Sequence, residues 1–192
     1  NKVKYPKYYK FIPSKSSDVN KIIKYGDNIE INEYKNISSI VNSSHYLYNS
    51  GPDELSFWYS SINASYSSNL KLTNEFTVMA CVYQTQRSHD WVRVIGKGNS
   101  HNRNYGMWIH KHGWTLVQIY GPRGGSIWPG PVLPLNKWTH LAFTFKKNNN
   151  LNFYFNGQLI KTVNTSGTPR TDNQPLTLGG ATYHAKFYGK IK

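Results

Sequence analysis

From Leu135 to Val163 the chain reads LNKWTHLAFTFKKNNNLNFYFNGQLIKTV, and apolar and polar positions alternate through it. Thr139, Leu141, Phe143 and Phe145 fall on one side, with His140, Ala142 and Thr144 on the other. Leu151, Phe153 and Phe155 then alternate with Asn152, Tyr154 and Asn156. A period of two marks a strand buried on one face. Lys146-Lys147-Asn148-Asn149-Asn150 is a polar connection, and Asn156-Gly157 supplies the two positive-φ positions of a type I′ hairpin turn. The stretch predicts three consecutive antiparallel strands and, by itself, names no activity.

The same alternation recurs upstream. Phe76, Val78, Ala80 and Val82 share one face of EFTVMACVY (residues 75–83), and they are expected in the core with Leu141, Phe143, Phe145, Leu151, Phe153 and Phe155. Trp91–Ile95, Tyr105–His110 and Trp114–Tyr120 read as further strands, the last two joined by a turn at Lys111-His112-Gly113. Asn28–Asn32 and Leu55–Tyr59 give strand signals, as do Pro175–Gly180 and Phe187–Ile191. Short strands at this spacing predict a two-sheet antiparallel sandwich. Residues 121–135, GPRGGSIWPGPVLPL, form a long, stiff connection that holds Trp128 beside Pro129.

The first 26 residues differ. They are rich in Lys and Tyr, and Pro6 and Pro13 oppose regular structure, although Ser17 could cap a short helix running to Tyr25 and closed by Gly26. They read either as an arm that drapes over a neighbour or an anionic surface, or as a leading strand and loop of the same domain. The expected division is a basic arm with leading strands over residues 1–54 and the sandwich over 55–192.

Charge sharpens this picture. The 192 residues carry 23 Lys and Arg against 9 Asp and Glu, a net charge of +14. Beyond residue 54 the acids are Glu75, Asp90 and Asp172 alone, against 15 basic residues, so +12 of the excess lies on the sandwich. Such a field attracts polyanions, acidic glycans, lipid head groups or acidic protein surfaces; an Asn- and Lys-rich composition of the kind an AT-rich genome produces accounts for it equally well. A single cysteine, Cys81, excludes an internal disulfide framework and reads as a small buried hydrophobe within its strand. No apolar run approaches the roughly 18 residues of a membrane-spanning helix. The chain starts without Met and without a leader pattern, so processing or excision from a longer protein is expected. Sequons at Asn36, Asn42, Asn63 and Asn164 do not decide location in so Asn-rich a chain.

Taken in order, seven pieces resemble the laminin G-like, or concanavalin A-like, jelly-roll superfamily. They are Phe76–Val82 (with Cys81 where Trp is usual), Val94–Gly98, Tyr105–Ile109, Trp138–Phe145, Leu151–Val163, Leu176–Gly180 and Phe187–Ile191. The resemblance covers about residues 65–192 and implies an all-β, two-sheet jelly roll with Trp138 in its core. It departs at the end, where the family's last strand normally runs on and this chain stops at Lys192.

The resemblance raises two chemistries. Glycanase relatives use two carboxylates, one to protonate the leaving oxygen and one to attack or activate water. No Glu-x-Asp-x-x-Glu motif occurs here, so no catalytic residue is assigned and no enzyme is expected. Calcium binding at the sandwich rim needs six to eight oxygens; no cofactor is expected, and if calcium binds, Asp90 and Asp172 are the candidates. His110 and His112, at i and i+2, could begin a zinc site with His101 or His184 as remote partners, but solvated edge histidines explain them better.

Aromatic recognition is the stronger lead. Flat aromatic faces with a few directed polar groups hold sugars and peptides, and Trp114, Tyr120, Arg123 and Trp128 lie on or beside the long connection. Trp128 reads either as a recognition surface or as packing beneath its own loop. The leading expectation is a non-catalytic recognition or assembly module of a larger surface protein, binding a glycan or a neighbouring protein through rim loops. A minor capsid or scaffold protein of a virion is the alternative. Charge-driven nucleic-acid binding is a third, without a recognised motif.

Overall fold

The computed structural model describes residues 24–25, 29–30, 47–51, 54–64, 67–98, 103–181 and 184–192. Within them the chain is all-β apart from one 3-10 turn at Ser68–Leu70. The strands are β1 (Lys24–Tyr25), β2 (Ile29–Glu30), β3 (Leu47–Gly51), β4 (Glu54–Ser60), β5 (Ile62–Asn63), β6 (Glu75–Gln84), β7 (Val92–Gly98), β8 (Arg103–Ile109), β9 (Thr115–Ile119), β10 (Ser126–Ile127), β11 (Trp138–Lys146), β12 (Asn150–Phe155), β13 (Gln158–Asn164), β14 (Leu176–Leu178) and β15 (Phe187–Ile191). β1 and β2 pair with each other. The others form a six-stranded sheet, β10-β9-β8-β7-β14-β5, and a seven-stranded sheet, β13-β12-β11-β6-β15-β4-β3, each antiparallel throughout.

The alternating pattern decides what lies between the sheets. Val78, Ala80 and Val82 of β6, Leu141, Phe143 and Phe145 of β11, and Leu151 and Phe153 of β12 are all buried. They join one core with Val92 and Val94 of β7, Met107 and Ile109 of β8, and Val117 and Ile119 of β9. Phe76 and Phe155, expected in the core, sit at its margin, partly buried. Phe143 stands opposite both Phe153 and Val78, so three strands add to the same layer. Full burial of such a side chain contributes about 1.5–3 kcal/mol. The expected turn is present, with φ 51° at Asn156 and 78° at Gly157. It is tied back to β11, since His140 N donates to Asn156 Oδ1 at 2.9 Å.

Four expectations need correction. Lys24–Tyr25, taken as a helix end, is a strand; the remainder of that segment, with Ser17, lies outside the described residues. Cys81 faces away from the core and is half-buried, because Ala80 and Val82 on either side of it take the inward positions. Trp138 also lies on the outer face, half-buried against Tyr83 with ring centroids 5.5 Å apart, because Thr139 holds the inward position. The 121–135 connection is not wholly irregular: Ser126–Ile127 pairs with β9 as the edge strand β10.

One charge is buried on the inward side. Lys97 is in β7 and 1% exposed; its Nζ lies 3.2 Å from Asp172 Oδ1 and donates to the carbonyls of Asp172 and Gln174.

Candidate functional site

The site is built on the outer face of the six-stranded sheet. Cross-strand register places Arg93 of β7 beside Trp108 of β8, and Trp108 beside Leu116 of β9. One step along, Gly96 pairs with Gly106 and with Thr177. Two facing glycines leave a floor of bare backbone. A Cβ on Gly96 would lie 2.7 Å from Tyr105 O and 3.2 Å from Arg93 Cδ, and one on Gly106 would lie 3.0 Å from Trp108 Nε1, so both long side chains lie against this floor.

Beyond β8 the chain reverses within His110-Lys111-His112-Gly113. Gly113 has a φ of 90°, a backbone setting that only glycine adopts readily. Gly113 N donates to His110 O at 2.7 Å and His110 N to Trp114 O at 2.8 Å, which places the rings of residues 110 and 114 across from each other. They stack, with centroids 5.6 Å apart and planes 8° apart. His112 lies 5.0 Å from His110 and 5.6 Å from Trp114.

The Pro-rich connection brings in Trp128. Ile127 and Leu133, 1% and 0% exposed, fix the loop on either side of it. Gly130 N donates to Thr115 O at 2.8 Å, Thr115 Oγ1 to Pro131 O at 2.8 Å, and Leu133 N to Gly113 O at 2.8 Å. Arg87 adds a clamp from beneath, donating to Gln84 Oε1 and to Leu133 O. Held in this way, and with a cis peptide to Pro129, Trp128 meets Trp114 at 5.7 Å and Trp91 at 4.8 Å. Trp91 in turn lies 4.8 Å from His110. Three tryptophans and two histidines thus form one continuous group, with Trp114 40% and Trp128 38% exposed. Burial holds the His110 imidazole below its ordinary pKa, and His112 and Lys111 add to this while Asp90 opposes it. These effects favour the uncharged ring in the stack.

Trp91 also lines an adjoining pocket of about 220 Å3, shared with Arg103, Trp108, Leu116 and His184. The Arg93 and Arg103 guanidinium carbons lie 4.5 and 4.7 Å from the Trp108 ring centroid, and the His184 ring lies 5.0 Å from it, edge-on.

Of the four residues singled out from sequence, Trp114 and Trp128 come together. Tyr120 and Arg123 do not join them. They follow the other end of β9, about 20 Å along a strand at 3.3–3.4 Å per residue. There Arg170 lies 5.7 Å over Tyr120, and Arg123 pairs with Ser166 beside a separate shallow groove that Tyr120 and Gly121 line. Trp91, His110 and His112 were not read as ring partners, and Arg93, Arg103 and Trp108 were not read as site residues. A residue at each end of a tight hairpin, His110 and Trp114, was the available signal; Arg93 offered another, as a charge set between Val92 and Val94.

The acids are engaged singly. Glu75 pairs with Lys146 at 3.4 Å on the surface, Asp172 with Lys97, and Asp90 acts on His110 and His184. Among the described residues no group of three His, Cys, Asp or Glu is arranged to hold a metal ion; His101 lies outside them. No helix among the described residues is long and apolar enough to cross a membrane.

Residues 56–192 match the family model described as the Concanavalin A-like lectin/glucanases superfamily. No curated protein sequence matches the chain. Among solved structures, domain 4 of AbnA, a GH43 extracellular arabinanase from Geobacillus stearothermophilus, in complex with arabinotriose, is 20% identical with a TM-score of 0.57, over 79% of this chain and 74% of that one. The CBM40 of Ruminococcus gnavus IT-sialidase, bound to alpha2,3 sialyllactose, is 16% identical with a TM-score of 0.50, over 68% of this chain and 86% of that one. Domains LG4-5 of the mouse laminin alpha1 chain are 15% identical with a TM-score of 0.50, over 71% of this chain and 38% of that one. At such identities these likenesses establish the fold.

Proposed function

We propose a recognition function for this chain, which belongs to the Concanavalin A-like lectin/glucanases superfamily through residues 56–192: it is a non-catalytic module that binds a glycan on the Trp91–Trp114–Trp128 face. The observation that carries the reading is the pair of indoles at 38% and 40% exposure, fixed against each other by a loop that buried Ile127 and Leu133 hold in place. Exposed indoles in a rigid setting offer flat apolar area at little entropic cost, and the sugar ring's C–H face is apolar enough to lie on them. Two structural neighbours, the arabinanase domain and the sialidase module, are seen with oligosaccharides. Glu75 and Asp172 are each paired with a lysine, which favours a non-catalytic reading over the two-carboxylate chemistry of hydrolysis. An extracellular surface is the setting that suits such a module. Calorimetric titration with arabinotriose, sialyllactose and a broad panel of oligosaccharides tests this. Saturable binding that Trp114→Ala abolishes is expected; absence of binding across the panel overturns the reading.

A protein partner has an observation of its own. The outer face of the seven-stranded sheet exposes Trp58 at 59% and Met79 at 60%. Tyr188 lies 5.5 Å from Trp58 there, and Lys192 reaches over Trp138. Among the described residues, capsid assembly and nucleic-acid binding have no comparable feature to carry them.

A further inference from the structure

The pocket beside Trp91 is unusual in what it lacks. Arg93 is 0% exposed, yet among the described residues neither it nor Arg103 forms an ion pair with a carboxylate. Arg93 Nη1 is satisfied by Gly98 O at 2.6 Å and Thr177 Oγ1 at 2.9 Å, while its Nε and Nη2 have no acceptor. Arg103 Nη1 donates to Gln118 Oε1 at 2.6 Å, while its Nε has no acceptor. Trp108 Nε1, on a side chain 2% exposed, has none, and both ring nitrogens of His184 are likewise without partners.

These groups converge around one ring. The unpartnered atoms of Arg93, Arg103 and Trp108 are donors, and the neutral His184 ring adds one donor, at either nitrogen according to its tautomer. A guanidinium stays protonated in a protein, so two positive charges meet here. Burial above all, and then the neighbouring Arg103, pull the pKa of Arg93 down to about 9, while Asp172 opposes them. Buried polar groups left unpaired are costly and normally find partners. Two acids act on the group, Asp172 on Arg93 and Asp90 on His184, but Asp172 is paired with Lys97 and neither bonds to an arginine. The chemical complement of these donors is a group made of acceptors that carries negative charge. Arginine suits this role because its planar fork matches the two oxygens of a carboxylate or sulfate.

We propose that the pocket lined by Trp91, Arg103, Trp108, Leu116 and His184 receives an oxyanion, the carboxylate or sulfate of an acidic sugar whose neighbouring ring lies on Trp114 and Trp128. Trp91 belongs to both surfaces, so one ligand can span them. Arg103, the half-buried member of the pair, makes the direct contact, and Arg93 beneath it supplies field. The sugar part of this inference rests on the glycan reading above; the oxyanion part does not.

The test follows the six indole N–H resonances of the full chain by NMR. Sodium acetate and sodium sulfate are titrated in separately, with ionic strength held by sodium chloride. A saturable shift of the Trp108 resonance, absent in Arg103→Gln but kept in Arg123→Gln, is expected. No saturable shift in the wild-type chain overturns the proposal. A second arm compares a hyaluronan tetrasaccharide with the same oligosaccharide after reduction of its carboxyl groups to alcohols. At least tenfold tighter binding of the acidic form, lost in Arg103→Gln, supports an acidic sugar. Equal affinity for the two forms, or no binding of either alongside saturation by acetate, overturns the sugar as the source and leaves a free oxyanion as the ligand. Loss of both forms in Trp114→Ala with the acetate response intact separates the shelf from the pocket and supports both.

Discussion

The imidazole of His110 lies parallel to the indole of Trp114, 8° between planes, across a hairpin closed by Gly113. Stacking fixes the Trp114 ring from one side while Trp128 meets it edge-on from another. Both indoles are then held by neighbours, with much of their surface left free. Replacing either by Ala should remove binding area and little core. Trp114→Ala and Trp128→Ala are each expected to weaken oligosaccharide binding at least tenfold, about 1.4 kcal/mol, with a near-unchanged melting temperature. Tyr120→Ala, at the far end of β9, should leave affinity unchanged. Calorimetry on the three variants checks the pattern.

Gly130 offers a test that touches no ring. A Cβ there would lie 2.5 Å from Thr115 Oγ1 and 2.7 Å from Phe153 Cε1. Gly130→Ala therefore pushes the loop off β9, at about 1–3 kcal/mol for overpacking, and shifts Trp128 with it. Affinity should fall although every indole is retained. A variant that binds like the wild type would show that the loop need not be seated.

In the core, Phe153 is 1% exposed and pairs with Phe143. Phe153→Ala should cost about 3–5 kcal/mol, read as a lower urea midpoint at constant slope.

Lys97→Ala should cost a similar amount, about 3–5 kcal/mol, because it strands the largely buried Asp172 carboxylate without its cation. Denaturant melts of Lys97→Ala beside a Lys97→Met, Asp172→Leu double variant separate the pair from its packing. The double variant should recover much of the loss, since replacing a buried ion pair by apolar groups is often close to neutral.

Acid should destabilise the fold in part through His184. Burial lowers its pKa from the ordinary 6.5, Arg103, Arg93 and Lys186 lower it further, and Asp90 opposes them. Below pH 6.5 the unfolded chain takes up a proton that the folded chain still refuses, so stability is full above that value and falls as the pH drops through it. His110 acts in the same direction from a more exposed position. Urea midpoints at pH 7.5 and 5.0 should differ less in His184→Gln than in the wild type.

The sandwich was legible in the chain because one-sided burial forces a period of two, and Phe143, Phe145, Leu151 and Phe153 obey it. Asn156-Gly157 announced its turn for a steric reason that tertiary packing does not alter. The site was legible only in part. Trp114 and Trp128 stood out as aromatics beside a Pro-rich loop, but grouping them with Tyr120 and Arg123 assumed that closeness in sequence meant closeness in space. A strand of five residues separates the two pairs instead. Arg93, Arg103 and His184 meet from β7, β8 and the segment before β15, a convergence that depends on strand order. Cys81 and Trp138 show the converse: apolar character did not reveal on which side of a sheet a residue would lie.

Strand order also constrains how the molecule is made. In the seven-stranded sheet β4 reaches β6 only through β15, whose partners lie some 130 residues earlier at Leu55–Ser60 and nearer by at Val82–Gln84. During synthesis the β3–β4 ribbon must wait, one edge unpaired, until residues 187–191 have left the ribosome. Such distant pairings close slowly, and an open edge invites the wrong partner meanwhile. Chains interrupted before Phe187 are therefore expected to aggregate, and those still being made to call on chaperones.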